Sequence, residues 1–126
     1  MLTFINFLDT IDMDFNDSLE QAGFRLEVKA GFVWKEKQKE CLKAVYDGID
    51  FMAVLPTGFG KSLIFQAAPF LLAAKNGQDI YDTNNIIVII TPLNSIMMSH
   101  CKALCSKGIK ACYLDYCCKG ELMMLT

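Results

Sequence analysis

Apolar residues recur at helical spacing in the segment that follows Trp34. They predict an amphipathic helix over residues 36–47 with one apolar stripe. Asp47-Gly48 predicts the end of this helix, because glycine is favoured just after a last helical turn. The apolar positions are Cys41, Leu42, Val45, Tyr46 and Ile49.

Two short runs are apolar at consecutive positions instead. They cover residues 51–55 and 86–91, and the second is β-branched at every position up to 90. Such runs are typical of strands that are buried on both faces of a parallel sheet. A third strand is predicted to start within KACYLDY, residues 110–116.

Helices are predicted between these strands. One covers residues 61–75, where Pro69 should kink or shorten it because proline lacks a backbone donor. The next begins near Asn94 or Ser95 and ends at Gly108. The order of elements predicts an α/β fold with parallel strands. Three such strands make too small a sheet for a settled domain, so the chain looks truncated.

The first thirty residues carry a weaker pattern. The segment DFNDSLEQAGF, residues 14–24, predicts a short helix that ends at Gly23. Its N-cap would be Asn16, Asp17 or Ser18. No catalytic chemistry is apparent in this segment.

The composition indicates a folded domain or part of one. The chain has 126 residues, of which 53% are hydrophobic and 21% charged, and this excludes a disordered segment. Its formal net charge of −2 gives no global basic field for nucleic acid. We interpret the lysines that cluster before and within the first amphipathic helix as a solvated face in preference to a contact surface. They are Lys35, Lys37, Lys39 and Lys43.

The N-terminus is apolar but does not resemble a signal peptide. It lacks a basic start and is interrupted by Asp9, Asp12 and Asp14. No window approaches the roughly 20 uninterrupted apolar residues that a membrane span requires. The sequence therefore predicts a soluble, intracellular protein with no membrane partner.

The six cysteines do not follow a zinc-site spacing, since none forms a C-x-x-C pair. Cys101 and Cys105 are four residues apart and should share one face of the helix that starts near Asn94. We interpret the cysteines as buried reduced thiols, in preference to a metal site, and expect no disulfide framework.

The segment AVLPTGFGKS, residues 53–62, has the features of a phosphate-binding loop. Gly58 and Gly60 allow the main chain to curl closely around phosphates. Lys61 can reach the β- and γ-phosphates, and the Ser62 hydroxyl can coordinate Mg²⁺. A predicted strand precedes residues 56–62, here called the phosphate loop, and a predicted helix follows them. The sequence therefore predicts an ATP or GTP site, although Leu55 stands where the strict pattern has glycine.

With its flanking residues, this loop resembles the first motif of superfamily 2 helicases, specifically the RecQ-like DNA helicases. In that family Pro-Thr-Gly-x-Gly-Lys-Ser is followed by an aromatic-Gln pair and a proline, which Phe65, Gln66 and Pro69 match. The family carries a large apolar residue at the position of Leu55. The resemblance implies a RecA-like lobe that binds ATP and Mg²⁺. The nucleotide-binding residues implied in this loop are Thr57, Gly58, Phe59, Gly60, Lys61 and Ser62, with Lys61 as the catalytic lysine and Ser62 as the Mg²⁺ ligand.

The segment FVWKEKQKE, residues 32–40, resembles the family's upstream motif. Trp34, Lys35 and Gln38 match it, and Gln38 lies 23 residues before Lys61, the family's usual spacing. The resemblance implies that the Gln38 amide reads the adenine edge. It also implies that Trp34 or Lys35 packs near the base.

The segment IIVIITPLNSIMMSH, residues 86–100, resembles the family's motif Ia, which lies along single-stranded DNA. Hydroxyls and helix-start N–H groups are suitable phosphate partners. The matching residues are Thr91, Pro92, Leu93, Ser95 and Met97, of which the first four are the implied DNA contacts. The family commonly has Asp-Gln where this chain has Ser99-His100, and we interpret His100 as a plain helix residue.

The resemblance covers residues 22–115, a partial ATP-binding domain between an N-terminal extension, 1–21, and a divergent tail, 116–126. It implies the N-terminal fragment of a DNA helicase that translocates 3′ to 5′ on single-stranded or partly duplex DNA, in the nucleus if the source is eukaryotic. The family's Asp-Glu-x-His motif does not occur in the sequence. We therefore predict that this chain alone neither unwinds DNA nor hydrolyses ATP at a useful rate.

Three alternatives remain at this stage. A DEAD-box RNA helicase shares the fold, but its motifs usually differ from Pro-Thr-Gly-x-Gly-Lys-Ser and Thr-Pro-Leu. A small P-loop kinase would not need Gln38 at its spacing. A truncated, non-catalytic nucleotide-binding module is the strongest rival.

Overall fold

The computed structural model describes residues 15–91, 94–116 and 122–125. The chain divides into two compact units, one ending at Ile87 and the other beginning at Val88. The first unit contains the described part of helix α1, residues 15–25, with α2 (Glu36–Tyr46) and α3 (Lys61–Lys75). The second contains α4 (Asn94–Ser106), β1 (Tyr113–Tyr116) and β2 (Leu122–Leu125).

Helix α1 is longer than its sequence pattern predicted. Ser18, a predicted N-cap, is buried within the helix, and Gly23, its predicted end, lies inside it. The helix ends instead at Arg25, and Glu27 in the following turn takes the left-handed conformation with φ of 56°. Burying Leu26 completely stabilises the extra turn, and this gain exceeds the cost of about 1 kcal/mol for glycine within a helix.

The core of the first unit lies mainly along the facing sides of α2 and α3. Both helices were predicted, and their observed ends agree with the prediction to within one residue. Leu42 of α2 and Leu71 of α3 are fully buried. The Lys75 ammonium in the last turn of α3 donates a hydrogen bond to the Tyr46 carbonyl oxygen. Carbonyl groups in the last turn of a helix lack partners within that helix, so this bond supplies one of them at the end of α2.

Pro69 does not shorten α3, contrary to one of the two outcomes predicted for it. The helix continues to Lys75. Ala68, Phe70 and Leu71 are buried on either side of the proline, and this packing offsets the lost backbone hydrogen bond. The Asn85 side-chain amide donates to the Pro69 carbonyl oxygen at 3.0 Å, which ties the following loop to the helix.

The runs 51–55 and 86–91 were predicted to be buried strands, but neither contains a strand residue. Met52 is 91% exposed and Ile90 is 96% exposed, so burial on both faces is also wrong for these runs. An apolar run becomes a strand only where a neighbouring strand completes its hydrogen bonds. Among the described residues, neither run has such a neighbour.

The third predicted strand is confirmed as β1, but its pairing is not parallel. β1 pairs with β2 in antiparallel register, with Tyr113 opposite Leu125 and Tyr116 opposite Leu122. The predicted parallel sheet is therefore not observed in the described part of the chain.

Helix α4 ends at Ser106, and Gly108, its predicted end, follows two residues later with φ of +74°. The Ile109 N–H donates to the Leu104 carbonyl oxygen at 3.1 Å, and this bond closes the helix end and turns the chain towards β1. None of the described side chains of α4 is fully buried.

Among the described helices, none has the length and hydrophobicity needed to cross a membrane.

Candidate functional site

The phosphate loop connects residue 55 to the first turn of α3. Gly58 and Gly60 both have positive φ, at 79° and 94°. The Phe59 N–H donates to the Pro56 carbonyl oxygen at 3.2 Å, which closes a turn at the tip of the loop. Lys61 is the first residue of α3. A curled glycine loop that opens directly into a helix is the backbone arrangement on which phosphate groups bind.

Gln38 joins the start of α2 to this loop. Its side chain is buried, with only 2% of its surface exposed. The Oε1 atom accepts a hydrogen bond from the Lys35 N–H at 2.9 Å, and Nε2 donates to the Gly60 carbonyl oxygen at 3.1 Å. The first bond caps α2, because Gln38 is the third residue of that helix. The second holds the loop against α2.

Two independent constraints require glycine at position 60. Its φ of +94° is rarely adopted by residues that carry a Cβ atom. A Cβ atom at this position would also lie 2.6 Å from the Gln38 Nε2 atom, which is too close for any real contact. Gly58 has a similar φ, but no atom outside its immediate chain neighbours lies within 4 Å of its Cβ position. The two loop glycines therefore differ in surroundings and not in conformation.

Lys35 also contacts the loop. Its ammonium donates to the Phe59 carbonyl oxygen at 3.0 Å and lies 4.6 Å from the centroid of the Phe59 ring. Sequence reasoning proposed that Lys35 packs near the base and missed this contact. The available signal was an aromatic residue at the tip of a glycine loop, within reach of a nearby cation.

The other lysines of the cluster agree with a solvated helix face only in part. Each pairs with an acidic residue three or four positions away along α2, and such pairs contribute little stability where they are exposed. Lys43 is half-buried, and its ammonium also lies 5.1 Å from the centroid of the Phe15 ring and 5.0 Å from that of Tyr46. The pairs are Lys37 with Glu40 at 3.1 Å, Lys39 with Glu36 at 3.6 Å and Lys43 with Asp47 at 3.3 Å.

The residues around the start of α3 fit a phosphate group. Gly60 provides no side-chain cap, and the first helical turn contains no acidic residue that could take the place of an anion. Lys61 is exposed, so its ammonium is accessible to a ligand. Ser62 follows in the same turn, where a hydroxyl can supply one oxygen to Mg²⁺. Within the described residues, no group of three or more His, Cys, Asp or Glu could hold a metal alone.

A small cavity lies beside this helix start. Its volume is about 180 Å³, and its lining is largely apolar apart from the Lys61 side chain. The residues that line it are Cys41, Phe51, Ala53, Leu55, Lys61, Ile64 and Phe65.

Trp34 is oriented by aromatic and helix contacts. Its ring meets the Phe32 ring edge to face at 5.1 Å, and it lies 3.7 Å from the Cβ position of Gly23 in α1. Of the two residues that the sequence proposed near the base, Lys35 is the one found in contact with the phosphate loop.

The residues predicted to contact DNA belong to the second unit. Thr91 is half-buried, and Ser95 is exposed in the first turn of α4. Pro92 and Leu93 lie outside the described residues. His100 is half-buried within α4.

The cysteine predictions are confirmed in part. The four described cysteines, Cys41, Cys101, Cys105 and Cys112, are free thiols, as predicted. Cys41 is buried, but Cys105 and Cys112 are exposed, so burial was wrong for those two. Partial burial raises the pKa of the Cys101 thiol, and the nearby Cys105 and Cys112 raise it further.

Comparison with known proteins connects these features to a family. The sequence profile described as DEAD/DEAH box helicase matches residues 35–123. The chain is 34% identical over 82 residues to ATP-dependent helicase wrn-1 of Caenorhabditis elegans, which covers 65% of this chain and 7% of that protein. It is 32% identical over 78 residues to ATP-dependent helicase SGS1 of Saccharomyces cerevisiae, covering 62% and 5%. It is 30% identical over 77 residues to Probable ATP-dependent DNA helicase RecS of Bacillus subtilis, covering 61% and 13%.

No solved structure matches the chain. The chain spans between 5% and 13% of the length of these three relatives. They are helicases of the RecQ type, which confirms the resemblance inferred from the motifs. The family implies a RecA-like fold and ATP use, and it favours a helicase over a small P-loop kinase. With its profile match extending over most of the sequence, this chain belongs to the DEAD/DEAH box helicase family.

Proposed function

We propose that this chain supplies the ATP-binding part of a RecQ-like, ATP-dependent DNA helicase. The observation that carries the proposal is the hydrogen bond from Gln38 Nε2 to the Gly60 carbonyl oxygen, at 3.1 Å. It joins two motifs that lie 22 residues apart in the sequence. A loop held in this way presents its N–H groups without first having to be ordered, and such preorganisation favours binding.

Within the site, the loop residues 57–62 surround the phosphates, and the Lys61 ammonium balances their charge. The Ser62 hydroxyl would supply one ligand oxygen to Mg²⁺, and the metal would neutralise phosphate charge. The open N-terminus of α3 adds the positive end of the helix dipole.

Adenine recognition is proposed for Gln38, with Trp34 or Lys35 beside the base. A glutamine amide carries two N–H donors and two acceptor lone pairs. Capping α2 uses one lone pair, and the bond to Gly60 uses one donor. One of each remains, which matches the acceptor and donor on the adenine edge. Because only 2% of the Gln38 surface is exposed, the base can reach this amide only if neighbouring groups move aside.

DNA binding is proposed for Thr91, Pro92, Leu93 and Ser95, with translocation 3′ to 5′ in the full-length protein. The Bacillus subtilis relative is named a probable DNA helicase, which supports DNA as the nucleic acid. We further propose that residues 22–115 form the ATP-binding region, with 1–21 and 116–126 as flanking segments. In a eukaryotic cell the full-length protein would act in the nucleus.

Titration of the full chain with a fluorescent ATP analogue and Mg²⁺ tests the nucleotide site. Lys61→Ala should weaken binding at least about tenfold, because it removes a charge-assisted contact to phosphate. Lys37→Ala is the matched control, since this lysine is exposed and paired only on the surface of α2. Equal binding by all three proteins would overturn the assignment of Lys61.

A second measurement separates binding from hydrolysis. Phosphate release by the purified chain, with and without single-stranded DNA, should stay at background even when ATP binds. DNA-stimulated hydrolysis that disappears in Lys61→Ala would contradict the prediction that this chain alone is inactive.

A further inference from the structure

Three thiols lie close together where α4 ends and the chain returns towards β1. The turn at Gly108 reverses the chain, so that the segment before β1 comes back along the last turn of α4. Cys105 Sγ contacts the Ala111 carbonyl oxygen at 3.6 Å. Cys112 is the next residue along the chain, and both Cys105 and Cys112 are exposed.

The three thiols are not equivalent as partners for a disulfide bond. Cys101 and Cys105 are one turn apart on a regular helix, where Cβ atoms are about 5–6 Å apart. A disulfide bond needs about 3.5–4.5 Å between these atoms, so the pair within α4 is disfavoured. Cys101 is also half-buried, and its raised pKa leaves less of the reactive thiolate.

Cys105 and Cys112 are not held at the fixed spacing of one helical turn, and both thiols are exposed. They lie on different segments, and the contact of Cys105 Sγ with the Ala111 carbonyl oxygen brings the first thiol to the residue that precedes the second. Both are open to a small oxidant in solution. A metal is a weaker alternative, because no group of three ligands suited to a metal is found among the described residues.

We propose that Cys105 and Cys112 form a reversible disulfide bond when the protein meets a peroxide. One thiolate attacks a peroxide oxygen, which breaks the O–O bond, gives a sulfenic acid and releases water after protonation. The second thiol then attacks the sulfenic sulfur, which forms the S–S bond and releases a second water. Two electrons pass from the two thiols to the peroxide. A small dithiol restores both thiols by exchange.

The bond would join the last turn of α4 to the residue that precedes β1. It would restrict movement between these two elements, which in the reduced protein are joined by the turn at Gly108 and by direct packing. This inference uses only residues of the second unit and does not depend on the proposed nucleotide or DNA sites.

The test is mass spectrometry of the full, reduced chain after treatment with a stoichiometric amount of hydrogen peroxide. The expected product has lost two hydrogen atoms, and its peptide map joins Cys105 to Cys112. A dithiol should return the original mass.

Cys105→Ser and Cys112→Ser should each abolish this product. Cys41→Ser is the matched control, because the thiol it removes is buried in the first unit, and it should leave the product intact. Circular dichroism of each variant establishes that it is folded before oxidation. The proposal is overturned if wild type gives no crosslink, or if the product is a linked dimer. It is also overturned if the map joins either cysteine to Cys101, Cys117 or Cys118.

Discussion

Two segments of this chain share one sequence pattern, an apolar run and a proline followed by a helix, but their structures differ. Residues 51–56 lead into α3, whose start is tied to α2 through Gln38 and the phosphate loop. Residues 86–92 lead into α4, whose described side chains include none that is fully buried. Both helices form where the sequence predicted them.

The difference lies in long-range partners. α3 is apolar on more than one face and packs along α2, so tertiary contacts add to its local preference for a helix. Among the described elements of its own unit, α4 packs against β1, and none of its described side chains is fully buried. A local pattern therefore decides which element forms, and distant residues decide how strongly it is held. The residues of α3 that are buried are Ile64, Ala67, Ala68, Phe70, Leu71 and Ala73.

The largest expected effect comes from truncating a core side chain of α3. Leu71→Ala should lower the free energy of unfolding by about 2–5 kcal/mol, because it leaves a cavity between packed helices. Ile96→Ala in α4 is the matched change. It should cost less than about 1 kcal/mol, since Ile96 is 38% exposed. Urea unfolding followed by circular dichroism measures both, and equal losses would remove the contrast between the two helices.

The second prediction compares the two loop glycines. Gly58→Ala should cost about 1–2 kcal/mol of stability, from the unfavourable positive φ alone. Gly60→Ala should cost about 1–3 kcal/mol more, because the added methyl group displaces Gln38 from its buried hydrogen bonds. Trp34, the single tryptophan, provides a fluorescence signal for unfolding. Equal costs for the two variants would show that the contact with Gln38 does not constrain Gly60.

The third prediction concerns Gln38 itself. Gln38→Ala should cost about 1–3 kcal/mol, because the Lys35 N–H and the Gly60 carbonyl lose their partner. In this background Gly60→Ala should be less damaging than in wild type, since the side chain that it would strike is gone. A double-mutant cycle measures this coupling, and strictly additive costs would contradict it.

The smallest expected effect belongs to Lys35 and Phe59. Their exposed cation–π contact should show a coupling of about 0.5–1 kcal/mol in a cycle of Lys35→Ala with Phe59→Leu. The same cycle with Lys37→Ala should show no coupling, because Lys37 pairs with Glu40 instead. A coupling of the same size for both lysines would point to net charge as its source.

Sequence alone predicted α2 and α3 well because their signals are local. The apolar stripe of α2 and the glycine that follows it suffice to define that helix. The predicted strands at 51–55 and 86–91 depended on neighbours that a single sequence does not supply. In α1 the predicted end at Gly23 was wrong, because burial of Leu26 outweighed the local preference of glycine.

At the site, the sequence predicted which residues lie near one another, but it did not predict all of the contacts between them. The spacing of Gln38 and Lys61 linked α2 to the phosphate loop, and the bond to Gly60 agrees with that link. The cap of α2 was missed, although a glutamine at the third helical position is a known capping residue. The contact of Lys35 with Phe59 depends on side-chain reach, which spacing does not reveal.

The exposed run at residues 86–90 has a consequence for the protein in solution. No Asp, Glu, Lys or Arg occurs between Asp82 and Lys102, so the run lacks the charged gatekeepers that usually flank such segments. Five consecutive β-branched residues without charge favour strand pairing between molecules. Light scattering by the purified chain should therefore increase steeply with concentration. Val88→Lys should suppress this self-association while leaving the helical content unchanged, because Val88 is exposed.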